Sequence, residues 1–169
     1  IAQLHYHLDK VHTRSIRGNI ETRMNKVKDE NLDGTILARA GIIRAGYEDR
    51  INFILEPTKL IPSPCQGILA IEVRKSDQTL IDFLNNLADP WASLRMEIER
   101  TYQAELGANC ESPIGIYTSL DKDNNTLTLY GAYATDKNSS LVYHQVSGPL
   151  EQKEELAIAL AKELRGMVE

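Results

Sequence analysis

Cysteine is scarce in this 169-residue sequence: there are two, at positions 65 and 110, and they form no Cys-x-x-Cys pair. The four histidines lie far from both in sequence, which argues against a zinc site and favours a reducing compartment such as the cytosol. Long apolar runs are missing too. Hydrophobic residues make up 42% of the chain, yet no run approaches the roughly 18 residues of a membrane span, so it reads as a soluble, cytoplasmic, globular protein. Positive charge is short as well. A net charge of -5 provides no general field for nucleic acid or an anionic membrane, so an anionic ligand must be captured by a local cluster. The opening "IAQLHYHLDK" has neither an initiator Met nor the basic-then-apolar order of a signal peptide, and is expected to follow a cut inside a longer chain.

The first part of the chain alternates between helical and β-prone patterns. Ile1, Leu4 and Leu8 have helical spacing, "TRSI" is a short β-prone run, and "RGN" is a turn. Asn19 is a good N-cap for a helix carrying Ile20, Met24 and Val27 on one face. "GTILARAG" predicts a buried strand running into a tight turn, and "IIRAGYEDR" opens another short helix. Strand, helix, strand, helix is the rhythm of an α/β layer with parallel strands. Beyond Pro57, Pro62 and Pro64, "GILAIEVR" predicts a further buried strand, one that belongs to a different sheet if the prolines isolate it.

The second part has clearer punctuation. "SDQTLIDFLNNLAD" predicts a helix with Leu80, Phe83, Leu84 and Leu87 on its apolar face. Asp89 and Pro90 supply the N-cap and first position of a longer helix, whose core stripe is Trp91, Leu94, Ile98, Tyr102 and Leu106 and whose stop is Gly107. The period then changes to two. "IGIYTSL", "TLTLYGAYA" and "LVYHQVS" predict a three-stranded antiparallel meander, with turns at "DKDNN" and "TDKNSS". In the last stretch Leu156, Leu160 and Leu164 recur every fourth residue, so a final helix should cover one face of that sheet. The fold class is thus α/β plus α+β: a partial α/β unit over 1–61, then a self-contained α+β unit over 89–169.

Arginine placement offers the first chemistry. Arg17 precedes, and Arg23 lies within, the opening turns of a helix whose free N–H groups already favour an anion. Each guanidinium can grip a carboxylate or phosphate bidentately in a fixed plane. Arg44 follows the next predicted strand, and in an open α/β sheet both strand ends face one crevice. Three arginines at one mouth would bind a polyanion; arginines on an amphipathic helix are otherwise simply solvated. "RGN" lacks the glycine pattern and lysine of a phosphate loop.

Cys65 reads as a small, partly buried residue ahead of a strand. Cys110 sits in a polar turn with Asn109, Glu111 and Ser112, just past a helix C-terminus. A neighbouring Glu and a helix C-terminus both raise a thiol pKa, so a permanent covalent anchor suits Cys110 better than repeated turnover. An incidental structural cysteine fits the same local chemistry.

Taken together, "IRGNIETR", "ILARAGIIR", "CQGILAIEVR", the Glu99–Arg100 pair and "LGANCESPIG" resemble, in order and in spacing, the porphobilinogen deaminase family. The resemblance extends over essentially the whole chain. It implies head-to-tail condensation of four porphobilinogen molecules into hydroxymethylbilane, with loss of ammonia at each step. It also implies a dipyrromethane cofactor held by a thioether to Cys110, no metal, and a growing polypyrrole whose carboxylates are bound by Arg17, Arg23 and Arg44. Gln66, Gly67 and Arg39 are further candidates for substrate binding. By the same resemblance, 1–61 is the later part of a periplasmic-binding-protein-like α/β domain 2, 62–88 is a crossover segment belonging to domain 1, and 89–169 is the C-terminal domain with the cofactor cysteine.

The acid–base aspartate of the family is expected upstream of Ile1, so the catalytic residue is not assigned here and the chain alone is expected to be inactive, its partner being the missing N-terminal part. Three departures stand out: Cys65 replaces the usual glycine of "GQG", Ala108 and Asn109 replace a glycine-rich approach to the anchor, and Arg39 replaces a small residue. The competing readings are a non-catalytic carboxylate-binding module and a plain α+β interaction domain.

Overall fold

A computed structural model of the chain describes residues 1–109, 112–136 and 139–168. Its centre is an antiparallel sheet in the order β1 (Ile114–Asp121), β2 (Thr126–Tyr133) and β3 (Val142–Pro149), as the alternating pattern predicts. Ile114 pairs with Tyr133 and Asp121 with Thr126; across the second ladder Thr126 pairs with Pro149 and Tyr133 with Val142. Successive side chains point to opposite faces, so this register sends Ile114, Ile116, Leu127 and Leu129 to one side.

Two helices cover that side. Asp89 caps α5 (Pro90–Glu105) by accepting from the Ala92 N–H at 2.7 Å, and Pro90 occupies the first position, where a missing N–H costs nothing. The helix buries Ile98 and Tyr102, and Leu106 follows at its C-cap. The Tyr102 hydroxyl donates to the Ala132 carbonyl at 3.1 Å, which satisfies a phenol that burial pushes far up in pKa. The last helix, α6 (Lys153–Gly166), lays Leu160 and Leu164 over Gly131, where an added Cβ would stand only 2.6 Å from Leu164 Cδ1. The absence of a side chain there lets helix and sheet approach.

The opposite face carries a smaller cluster of Ala132, Ala134 and Leu141, ringed by Tyr117, Tyr130 and Tyr143. Ile61 plugs into it and is only 3% exposed. Gln3 pairs with both main-chain groups of Ile61: its side-chain N–H donates to the Ile61 carbonyl at 2.6 Å, and its oxygen accepts from the Ile61 N–H at 2.7 Å. Gln3 belongs to α1 (Ala2–His7), and the His7 imidazole lies within hydrogen-bond distance of the Tyr143 hydroxyl at 3.0 Å. The first part of the chain is thus fastened to the sheet through Ile61 and α1.

Between these anchors lie α2 (Ile20–Asp29), α3 (Arg39–Arg44) and, farther on, α4 (Gln78–Asn85). Asn19 caps α2 by accepting from the Thr22 N–H at 2.8 Å, and Asp77 caps α4. The strands expected at "TRSI", "GTILARAG" and "GILAIEVR" do not form: among the described residues no strand precedes Ile114, and "ARAG" starts α3 instead. A strand is stable only when a neighbour satisfies its backbone, and no described segment supplies one here. The apolar side chains are correspondingly open, with Leu69 84% and Phe53 88% exposed. The mixed α/β character and the three-stranded sheet with helices agree with the sequence reading; among the described residues a parallel α/β layer is not seen.

Candidate functional site: free guanidinium groups and a latched turn

The local chain sets the arginines. Gly18 has φ of 126°, a region L residues avoid, and an added Cβ would lie 2.6 Å from Thr22 Cγ2, so both conformation and space demand glycine in "RGN". The Gly18 carbonyl turns back to accept from Arg23 Nε at 2.8 Å, which fixes that guanidinium beside the start of α2. The preceding Arg17 is exposed, and its carbonyl accepts from Lys26 Nζ at 3.2 Å. Arg44, exposed at the end of α3, donates from Nε to the Ala40 carbonyl at 3.2 Å. An added Cβ on Gly41 would meet Ile20 Cδ1 at 2.9 Å, so α3 lies against the first residue of α2. The structure therefore gathers the helices that bear Arg23 and Arg44. It does so by helix–helix approach and not through the strand ends of a sheet.

Carboxylates hold three of the arginines, whereas Arg50, Arg74, Arg100 and Arg165 share with Arg17, Arg23 and Arg44 the lack of such a partner among the described residues. Arg14 is held by Glu30, Arg39 by Glu48 at 3.7 Å and Arg95 by Glu99 at 2.9 Å. Among the described residues, Arg17, Arg23 and Arg44 hold no carboxylate. Arg39 thus has a partner of its own, although both side chains of that pair are largely exposed and it is weak.

The Cys65–Gln66–Gly67 turn explains one departure from the family pattern. Cys65 adopts φ of 59° and Gly67 φ of 84°. A left-handed conformation costs an L residue about 1–2 kcal/mol, so a glycine would take this position with less strain than Cys65 does. The Cys65 N–H donates to Glu99 Oε2 at 2.5 Å, and burial, with Glu99 adding to it, pushes the Cys65 thiol up in pKa. A raised thiol pKa suits a structural cysteine. Gln66 is exposed and its side-chain oxygen accepts from the Ser63 N–H at 3.3 Å.

Cys110 and Glu111 lie outside the described residues. The residues on either side are joined: the Asn109 N–H donates to Ser112 Oγ at 3.1 Å, and the Ser112 N–H donates to the Asn109 carbonyl at 3.2 Å. Among the described residues no three His, Cys, Asp or Glu side chains are grouped to hold a metal, and no helix is long and apolar enough to cross a membrane. Ile61 is an anchor that the motifs do not single out, and Glu99, marked in the sequence only as part of the Glu99–Arg100 motif, is given no role by it. The readable signal for Glu99 is an acid four residues after Arg95, beside the apolar stripe of α5.

A helix-covered antiparallel meander, tied to a helical segment in which Arg17, Arg23 and Arg44 hold no carboxylate, defines a mixed α/β protein. Two family models match it: "Porphobilinogen deaminase, dipyromethane cofactor binding domain" over residues 1–82, and "Porphobilinogen deaminase, C-terminal domain" over residues 93–166. The chain is 36% identical over 147 residues to a porphobilinogen deaminase of Clostridioides difficile, an alignment covering 87% of this chain and 48% of that relative. With the Clostridium novyi protein of the same name it shares 35% over 163 residues, 95% of this chain and 54% of the relative. With that of Corynebacterium efficiens it shares 40% over 152 residues, covering 88% and 50%. The chain belongs to the porphobilinogen deaminase family and spans about half the length of the curated relatives it matches.

Proposed function

We propose that this chain supplies the tether and one binding wall of an enzyme that condenses four porphobilinogen molecules into hydroxymethylbilane, releasing ammonia at each step. The observation that carries the reading is that Arg17 and Arg23, at the start of α2, and Arg44, on the helix that lies against Ile20, hold no carboxylate. Each bidentate fork can take one acetate or propionate carboxylate of cofactor, substrate or growing chain. A dipyrromethane, bound as a thioether to Cys110, would supply the primer to which new rings are added. It suits these residues because every ring brings two carboxylates and the arginines offer matching, permanently charged donors. Gln66, Gly67 and Arg39 are secondary contacts, with Arg39 first released from Glu48. No metal takes part.

The domain reading goes with it: 1–61 as the later part of a periplasmic-binding-protein-like domain 2, 62–88 as a return to domain 1, and 89–169 as the C-terminal domain. The gap between the two matched family regions, residues 83–92, supports the last boundary. The acid–base aspartate belongs to the family's first domain, so the 169 residues alone are expected not to turn over porphobilinogen, and the whole protein is expected in the cytoplasm. A non-catalytic carboxylate-binding module is the second reading, favoured by the same free arginines.

Activity of the chain joined to the N-terminal half of the Clostridium novyi relative separates them. Arg17→Leu and Arg23→Leu are each expected to cut hydroxymethylbilane formation by tenfold or more, about 1.4 kcal/mol of lost binding or transition-state energy. Unchanged product formation in both variants would overturn the assignment.

A further inference from the structure

We propose that Glu99 is a positioning residue: its carboxylate latches the turn at 63–67 onto α5, and so sets where Gln66 and Gly67 stand relative to the helix that leads to Cys110. Glu99 is 0% exposed, beside Ile98 and Tyr102 in the core of the C-terminal unit. A carboxylate is a costly residue to bury, and an apolar side chain of similar size would fill this place more cheaply. Its bonds show what it does there. Oε1 accepts the Arg95 fork, Nε at 3.1 Å and Nη2 at 2.9 Å, while Oε2 accepts the Cys65 N–H at 2.5 Å. Arg95 lies on the same helix and compensates the charge; the bond to Cys65 bridges 34 residues of sequence.

The turn has few other fastenings. At its leading edge Ile61 is plugged into the outer face of the sheet, and the Pro62 carbonyl accepts from the Ile116 N–H at 2.9 Å. Beyond Cys65, Gln66 and Gly67 are exposed, and the chain runs on to Leu69 at 84% exposure. The carboxylate thus holds the far end of the turn, at a residue whose left-handed φ of 59° opposes the arrangement. Without that acceptor the Cys65 N–H would be left half-buried with no partner among the described residues, and the chain would be free to relax.

The functional consequence rests on the proposed function, but the latch is measurable without it. In the 169-residue chain, amide hydrogen exchange at Cys65 is expected to speed about tenfold or more in Glu99→Ala, with Leu127 and Leu129 unchanged. Glu99→Gln, which keeps an acceptor oxygen, should restore protection at Cys65 to within about threefold of the parent. Unchanged Cys65 exchange in Glu99→Ala, or equal loss of protection at Cys65 and in the sheet in both variants, would overturn the latch. In the protein joined to a relative's N-terminal half, Glu99→Gln should raise KM for porphobilinogen by less than Glu99→Ala, with kcat changed less than KM in both. A failure of the arginine variants to affect product, with Cys65 still responding, would sink the proposed function and leave the latch standing.

Discussion

Residues 90–168 and residues 1–88 have similar apolar patterning and opposite fates. In the C-terminal unit Ile116, Leu127, Leu129, Leu160 and Leu164 are all 0% exposed, each from a strand or helix whose neighbours are also present. In the first half the β-prone runs stay unpaired, and Ile61, the buried residue there among those described, is buried in the other half's sheet. Patterning specifies which face is apolar; a partner decides whether that face is buried. Periodicity alone therefore predicts structure well where contacts are with the next element, and poorly where pairing is distant.

Truncating one leucine in each region should have very unequal effects. Leu160→Ala empties a packed position under α6 and is expected to cost about 2–5 kcal/mol. Leu69→Ala, at an exposed position, should stay within about 0.5 kcal/mol. Urea unfolding followed by the signal of Trp91, which packs against the main cluster, would measure both. Equal losses would mean that 67–74 is packed after all.

A smaller effect should appear with pH. Burial pushes the Glu99 carboxyl up in pKa, against the opposing pull of the Cys65 amide and the Arg95 guanidinium. An acid raised on folding binds its proton in the native state over a range where the unfolded chain has already lost it. Its contribution to stability is therefore fullest below the ordinary glutamate value of about 4.3, and declines as pH rises from there through the folded value. In Glu99→Gln that decline should vanish from the pH profile of the unfolding midpoint. A profile identical to the parent's would assign the slope to other groups.

Much of the C-terminal unit could be read from residues alone. Asp89 and Pro90 mark the start of α5, Gly107 its end at φ of 63°, and the alternation after Pro113 marks the strands. The first half was legible in the Asn19 cap, because a cap is a bond between residues three apart; Asp77 caps α4 in the same way but was not read from the sequence. Its strands were not, since a pairing partner lies outside any local window. At the candidate site, the arginine positions followed from "RGNIETR" and the helix start, but their freedom from carboxylates did not, because Arg14, Arg39 and Arg95 have the same composition and are paired. Glu99 was legible as part of a motif but its contact was not, because its partner, the Cys65 amide, is a backbone group 34 residues away.

The proposed function depends above all on Cys110 being the covalent anchor of a dipyrromethane. Intact-mass measurement of the protein joined to a relative's N-terminal half, after incubation with porphobilinogen, tests it. The account predicts a mass excess of one dipyrromethane with a positive Ehrlich reaction, both lost in Cys110→Ser. An active enzyme whose Cys110 carries no added mass would contradict it.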